Sequence, residues 1–96
     1  MTDEEFEKKV KVLRNLILHY HERLLRGGFN EWEIEIRIYL TPETYNKMKI
    51  EASKRLYSFQ LENKNNEWYP TFMGHDIITN DEIKEDCMFA GAIDEF

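Results

Sequence analysis

The chain has 96 residues, of which 42% are hydrophobic, and its formal net charge is −6. A chain of this length builds one small domain, over residues 1–96, which leaves little room for a deep active site. The single cysteine, Cys87, excludes an internal disulfide. The acidic N-terminus is unlike a basic signal peptide, and no apolar run approaches the roughly 20 residues of a membrane span. We therefore expect a cytoplasmic protein that does not enter a membrane.

Acidic side chains are concentrated in the last third of the chain. Residues 61–96 carry nine acidic and two basic side chains, whereas residues 1–28 carry five acidic and six basic ones. A net-negative body repels nucleic-acid phosphates, so direct nucleic-acid binding is disfavoured and a protein with a basic surface is the expected partner. The simpler interpretation is that these acids only keep a small protein dispersed in water.

The first predicted element is a long helix. Thr2 and Glu5 have the spacing of a capping box, and Gly27-Gly28 ends the pattern because glycine reaches the left-handed conformation that closes helices. Apolar side chains recur between them at steps of four and three, at Phe6, Val10, Leu13, Ile17, Tyr20 and Leu24. A helix of some 24 residues is roughly 36 Å long, and any part of its stripe that the sheet leaves uncovered would meet a second copy of the chain.

An unbroken alternation of apolar and polar residues over positions 32–40 predicts a half-buried strand. Its apolar side chains are Trp32, Ile34, Ile36, Ile38 and Leu40. Glu31, Glu33 and Glu35 would then form a row of carboxylates on the exposed face. The row is either a solvated sheet face balanced by Arg37 or part of a surface that imitates nucleic-acid phosphates. That imitation would also need the acids Asp81, Glu82, Glu85, Asp86, Asp94 and Glu95.

A second helix is predicted to start at Thr41-Pro42-Glu43, where threonine caps, proline takes the first helical position and glutamate lies at the positive end of the dipole. Its apolar face would be Tyr45, Met48, Ala52, Leu56 and Phe59, although Tyr57, Phe59 and Leu61 also alternate as in a strand. Residues 62–67 are predicted to form a loop or hairpin turn. Short strands at residues 77–78 and 87–90, the second ending at Gly91, complete an α+β domain of order α-β-α-β-β with an antiparallel sheet.

Residues 72–83 contain an aromatic residue, Gly74, a short apolar strand and an Asp-x-Ile turn. This segment resembles the C-terminal segment of short uncharacterised tailed-bacteriophage proteins, and the resemblance implies a viral origin and a host-cell cytoplasmic location. The phage pattern has prolines where this chain has His75 and Lys84. The resemblance carries no catalytic residue.

We expect no catalytic residue, no metal site and no cofactor. His19 and His21 are two residues apart on a helix and therefore lie on different faces. His75 and Cys87 could act as a nucleophilic pair only if the fold joined them, and a cysteine in an apolar run is more often an inert thiol.

Aromatic side chains are the predicted apolar contacts of a partner-binding surface. Trp68, Tyr69 and Phe72 are chosen for this role, while Trp32 is interpreted as core. The acids predicted to add electrostatic attraction are Glu31, Glu33, Glu35, Asp81, Glu82, Glu85 and Asp86. The predicted function is a non-enzymatic protein-binding module, for instance an inhibitor of a host defence or nucleic-acid-processing protein. The alternative is a minor virion or assembly protein that forms a homodimer through the first helix.

Overall fold

The computed structural model describes residues 1–52 and 59–92. The helices and strands are α1 (Asp3–Arg26), β1 (Ile34–Tyr39), α2 (Pro42–Ala52), β2 (Phe59–Lys64), β3 (Glu67–Phe72), β4 (His75–Ile78) and β5 (Cys87–Ala92), with a short 3-10 turn at Glu31–Glu33. The predicted α+β class, the long N-terminal helix and the second helix are confirmed. Neither described helix is long and apolar enough to cross a membrane.

The five strands form one sheet in the order β2-β3-β4-β1-β5. Three of the pairings are antiparallel, but β1 and β4 run parallel, with Ile38 beside Ile77. The prediction of an antiparallel sheet is corrected at this one pair. Parallel strands need a long connection, and α2 with the β2–β3 hairpin supplies it. That hairpin turns at Asn65 and Asn66, both with positive φ, so the loop or turn predicted over residues 62–67 is shorter, and its other residues belong to β2 and β3.

One face of the sheet packs against the helices and the other faces solvent. The buried apolar side chains are Phe6, Val10, Ile17, Ile36, Ile38, Leu40, Met48, Phe72 and Ile77. Ile34 packs partly buried against them, so the predicted inward face of β1 is confirmed from Ile34 onward. On the solvent face Arg37 lies over the ring of Phe89, 5.0 Å from its centroid.

Both helices begin at the predicted caps. The hydroxyl of Thr2 accepts a hydrogen bond from the backbone N–H of Glu5 at 3.1 Å, and that of Thr41 accepts one from Thr44 at 3.3 Å. These caps satisfy backbone donors that the first turn leaves free. The apolar face predicted for the second helix extended to Phe59, but Phe59 belongs to β2. Leu56 and Tyr57 lie outside the described residues. Gly91, predicted to end the last strand, lies within β5.

The start of the first strand is also corrected. Asn30 donates hydrogen bonds to Glu33 Oε1 from its backbone N–H at 3.2 Å and from its side chain at 2.6 Å, and these bonds close the 3-10 turn. The alternation of side chains therefore begins only at Ile34. Trp32, interpreted as core from its place in the pattern, is 72% exposed.

Candidate protein-interaction surface

Parallel pairing brings several chain segments to one end of the sheet. β1 and β4 both end there, where the backbone N–H of Leu40 donates to the carbonyl of Ile78 at 3.0 Å. Loop 79–86 leaves β4 at this end, and both helices begin there, since the N-terminal amine lies 3.1 Å from the Glu43 carboxylate. We call this region the acidic end. Its acidic residues are Asp3, Glu4, Glu5, Glu43, Asp81, Glu82, Glu85 and Asp86.

Asp86 ties the loop to α2 rather than facing a partner. Its carboxylate accepts hydrogen bonds from the Thr41 backbone N–H and the Thr44 hydroxyl, each at 2.8 Å, and from the Lys9 ammonium at 2.6 Å. Burial raises the pKa of this carboxyl, but the bonds from Lys9, Thr41 and Thr44 outweigh burial and hold the pKa of Asp86 below its usual value. Its side chain is only 20% exposed.

The other predicted acids of the loop are exposed. Asn80 Oδ1 accepts a hydrogen bond from the Glu82 backbone N–H at 2.9 Å, and the Asp81 carbonyl accepts one from the Lys84 ammonium at 2.7 Å. These bonds shape the loop without using the carboxylates of Asp81, Glu82 or Glu85. Those three carboxylates form no ion pair with any residue of the described ranges. They are therefore open to a partner.

The predicted aromatic group is divided by the sheet. β3 runs antiparallel to β4, with Thr71 beside Asp76, so its first residues extend toward the acidic end. Trp68 and Tyr69 are there, 65% and 41% exposed. Phe72 lies at the opposite end of β3 and is 1% exposed, so its ring belongs to the core and is not a surface contact.

Leu61 adds an apolar side chain that the sequence did not single out. In the hairpin, Asn63 pairs with Trp68 and Leu61 with Pro70, so Leu61 and Trp68 lie on the same face. Leu61 is 54% exposed. Tyr69 points to the other face, where its hydroxyl donates a hydrogen bond to Glu67. Trp68 and Leu61 therefore form an apolar patch, which we call the hairpin patch.

The first group of predicted acids lies away from the acidic end. Glu31 and Glu33 lie before the start of β1, whereas the acidic end is at the end of this strand. The six residues of β1 separate the two by about 20 Å. Glu33 is engaged in the cap of the 3-10 turn, and Glu35 pairs with Arg37 at 3.0 Å. The acids predicted to bind a partner thus fall into two separate groups. Asp94 and Glu95, which the phosphate-imitating surface also required, lie outside the described residues.

An apolar groove opens along the flank of α1. Its volume is about 240 Å³, and it lies between α1, the start of α2 and the start of β5. The side chains that line it include Val10, Val12, Leu13, Leu16, Leu40, Met48 and Met88. Val12 and Leu16 are also 57% and 39% exposed beside it. The sheet therefore covers only part of the apolar stripe of α1.

The residues considered for catalysis are not brought together. His75 lies on the helix-facing side of β4, level with Ile36. Cys87 lies on the solvent side of β5, where it pairs with Tyr39. Strand β1 separates β4 from β5, so His75 and Cys87 are apart. His21 approaches Glu31, with 3.9 Å from Nε2 to Oε1, while His19 packs edge-on to Tyr20. Within residues 1–52 and 59–92, no three potential metal ligands cluster.

Comparisons with known proteins give no relative for this chain. No protein-family model matches it, and neither does any curated protein or any solved structure.

Proposed function

We propose that this protein is a non-enzymatic binding module whose partner is a protein with a basic surface. The observation that carries the proposal is the antiparallel pairing of β3 with β4. It puts the exposed Trp68 at the same end of the sheet as the exposed carboxylates of Asp81, Glu82 and Glu85. Aromatic side chains supply contact area in interfaces, and complementary charge raises the association rate.

A basic partner follows from the charge of this end. The carboxylates of Asp81, Glu82 and Glu85 form no ion pair with another residue that the structure describes, so a basic surface would neutralise them without breaking bonds of the fold. A host nuclease or other nucleic-acid-processing protein has such a surface, and the bacteriophage resemblance makes an inhibitor of a host protein the natural form of the proposal. The protein itself is proposed to bind no nucleic acid, because its net charge of −6 opposes phosphate binding.

Affinity capture from a bacterial lysate, followed by mass spectrometry, tests the proposal when matched tryptophan variants are compared. Trp68→Ala removes the larger side chain of the hairpin patch, and Trp32→Ala removes a similarly exposed side chain from the turn that precedes β1, at the other end of that strand. We expect the parent and Trp32→Ala to retain the same protein, and Trp68→Ala to lose most of it. Equal retention by both variants would contradict a contact at Trp68.

Assembly through α1 is the second candidate function. Val12 and Leu16 are exposed apolar residues of α1, and they adjoin the apolar groove. Exposed apolar surface beside a groove is typical of protein interfaces. A virion or assembly protein that oligomerises through α1 would cover it.

A further inference from the structure

Four exposed residues of α1 form a single stripe along the helix. At 3.6 residues per turn, Glu5, Val12, Leu16 and Arg23 lie within about 40° of one another around the helix axis. The stripe is about 27 Å long, and its two apolar members border the groove. Glu5 and Arg23 form no ion pair with another described residue, whereas the neighbouring Arg26 pairs with Glu22 at 2.6 Å.

Two copies of this stripe, laid side by side in opposite directions, match each other in charge and in apolar character. Position 14 is equally far from Val12 and Leu16, and equally far from Glu5 and Arg23. A two-fold axis at that position therefore sets Val12 of one copy against Leu16 of the other, and Glu5 against Arg23. Each end of the pairing joins opposite charges, and its centre joins two apolar pairs.

We infer that the occupant of this face is a second copy of the same chain, docked antiparallel on α1 with its two-fold axis at position 14. The inference rests on the second candidate function and names the partner and geometry that it requires. Helices that cross at a shallow angle of about 20° stay close enough over this length for glutamate and arginine to meet at both ends. The central pairs would cover Val12 and Leu16 and close the mouth of the groove.

The opposite flank of α1 does not offer the same match. Leu18 and Leu25 are exposed there, 53% and 42%, in a stripe that begins with Lys11. A two-fold axis at Leu18 would set the Lys11 ammonium against Leu25, which buries a charge without a partner. Leu18 is therefore a suitable control for Leu16.

Charge exchange between the two ends tests the pairing. Glu5→Arg alone and Arg23→Glu alone each place like charges at both ends of the dimer, so each should raise the dissociation constant about tenfold in light scattering or sedimentation at micromolar concentration. Mixing the two single variants restores opposite charges at both ends, so the mixture should form a dimer as tight as the parent. That recovery would also show that each variant is folded.

Leu16→Lys should likewise weaken the dimer at least tenfold, and Leu18→Lys should not. If the parent dimerises but the charge variants dimerise equally well, alone and mixed, the antiparallel pairing is overturned while assembly by another face, such as the edge of β5, stands. If the parent scatters as a monomer throughout the micromolar range, the pairing and the assembly function are both overturned. Equal weakening by Leu16→Lys and Leu18→Lys would also overturn the pairing.

Discussion

The carboxylate of Asp86 accepts a hydrogen bond from the backbone N–H of Thr41, at 2.8 Å, across 45 residues of the chain. Thr41 is the N-cap of α2, and Asp86 is the last residue before β5. This bond and the one from the Thr44 hydroxyl hold loop 79–86 against the start of α2. The exposed acids of the loop thus project from an anchored segment.

Removal of that anchor should destabilise the protein. Asp86→Ala leaves the Thr41 backbone N–H and the Thr44 hydroxyl without their acceptor, and such losses cost about 1–3 kcal/mol. Asp81→Ala, in the same loop but exposed, should change the free energy of unfolding by less than about 0.5 kcal/mol. Urea denaturation of the two variants measures the difference. Identical midpoints would show that Asp86 does not anchor the loop.

The same carboxylate should make stability fall in acid. Its pKa is lower in the fold than its ordinary value of 3.8, so the ionised form stabilises the fold at pH values above 3.8. This contribution is lost as the pH falls below 3.8 and through the folded-state pKa. The stability advantage of the parent over Asp86→Asn should therefore shrink between pH 5 and pH 2. An advantage that is constant with pH would contradict the assignment.

His75 should produce a second pH dependence, at higher pH. Burial and the nearby His21 lower the pKa of His75 from 6.5, more than Asp76 raises it. The unfolded chain therefore binds the proton first, and stability should fall as the pH drops through 6.5 toward the folded-state pKa. Replacing His75 with glutamine should flatten unfolding free energies measured from pH 7.5 to pH 5. An unchanged slope in that variant would assign the dependence to another group.

The core face of β1 gives a direct test of the fold. Ile36 is 4% exposed between the sheet and α1, so Ile36→Ala should cost about 2–5 kcal/mol. Leu18→Ala removes a side chain that is 53% exposed and lies outside the proposed dimer face, so it should cost far less. Chemical denaturation monitored by circular dichroism compares them. An unaltered midpoint for Ile36→Ala would refute the assignment of this strand.

Local signals in the sequence predicted the helices and the inward face of β1 well. Thr2 and Thr41 act on backbone groups within their own turns, so their roles can be read from neighbouring residues. Trp32 was misinterpreted because the alternating pattern extends through it, while the bonds between Asn30 and Glu33 fold that segment as a 3-10 turn. Here the local hydrogen bonds of a side chain decide the backbone conformation, although the alternation of apolar and polar residues predicts a strand.

The interaction surface depended on contacts that are distant in sequence. Phe72 lies on the same face of β3 as Trp68, but its place at the other end of the strand, beside Phe59 and His75, puts its ring in the core. Asp86 resembles the other loop acids, yet its partners Thr41 and Lys9 are more than 40 residues away. Neither relationship leaves a signal in local composition. Strand order and tertiary hydrogen bonds decide them.

The association rate with the captured partner, measured against salt concentration, tests the proposed binding function most directly. The variant Asp81→Lys, Glu82→Lys, Glu85→Lys reverses the exposed loop charges and leaves the Asp86 anchor intact. Since the Debye length falls from about 10 Å at 0.1 M salt to about 3 Å at 1 M, we predict that the parent associates more slowly as salt is added and that the variant is slow at low salt. A variant that associates as fast as the parent, with neither rate sensitive to salt, would contradict an interaction guided by the acidic end.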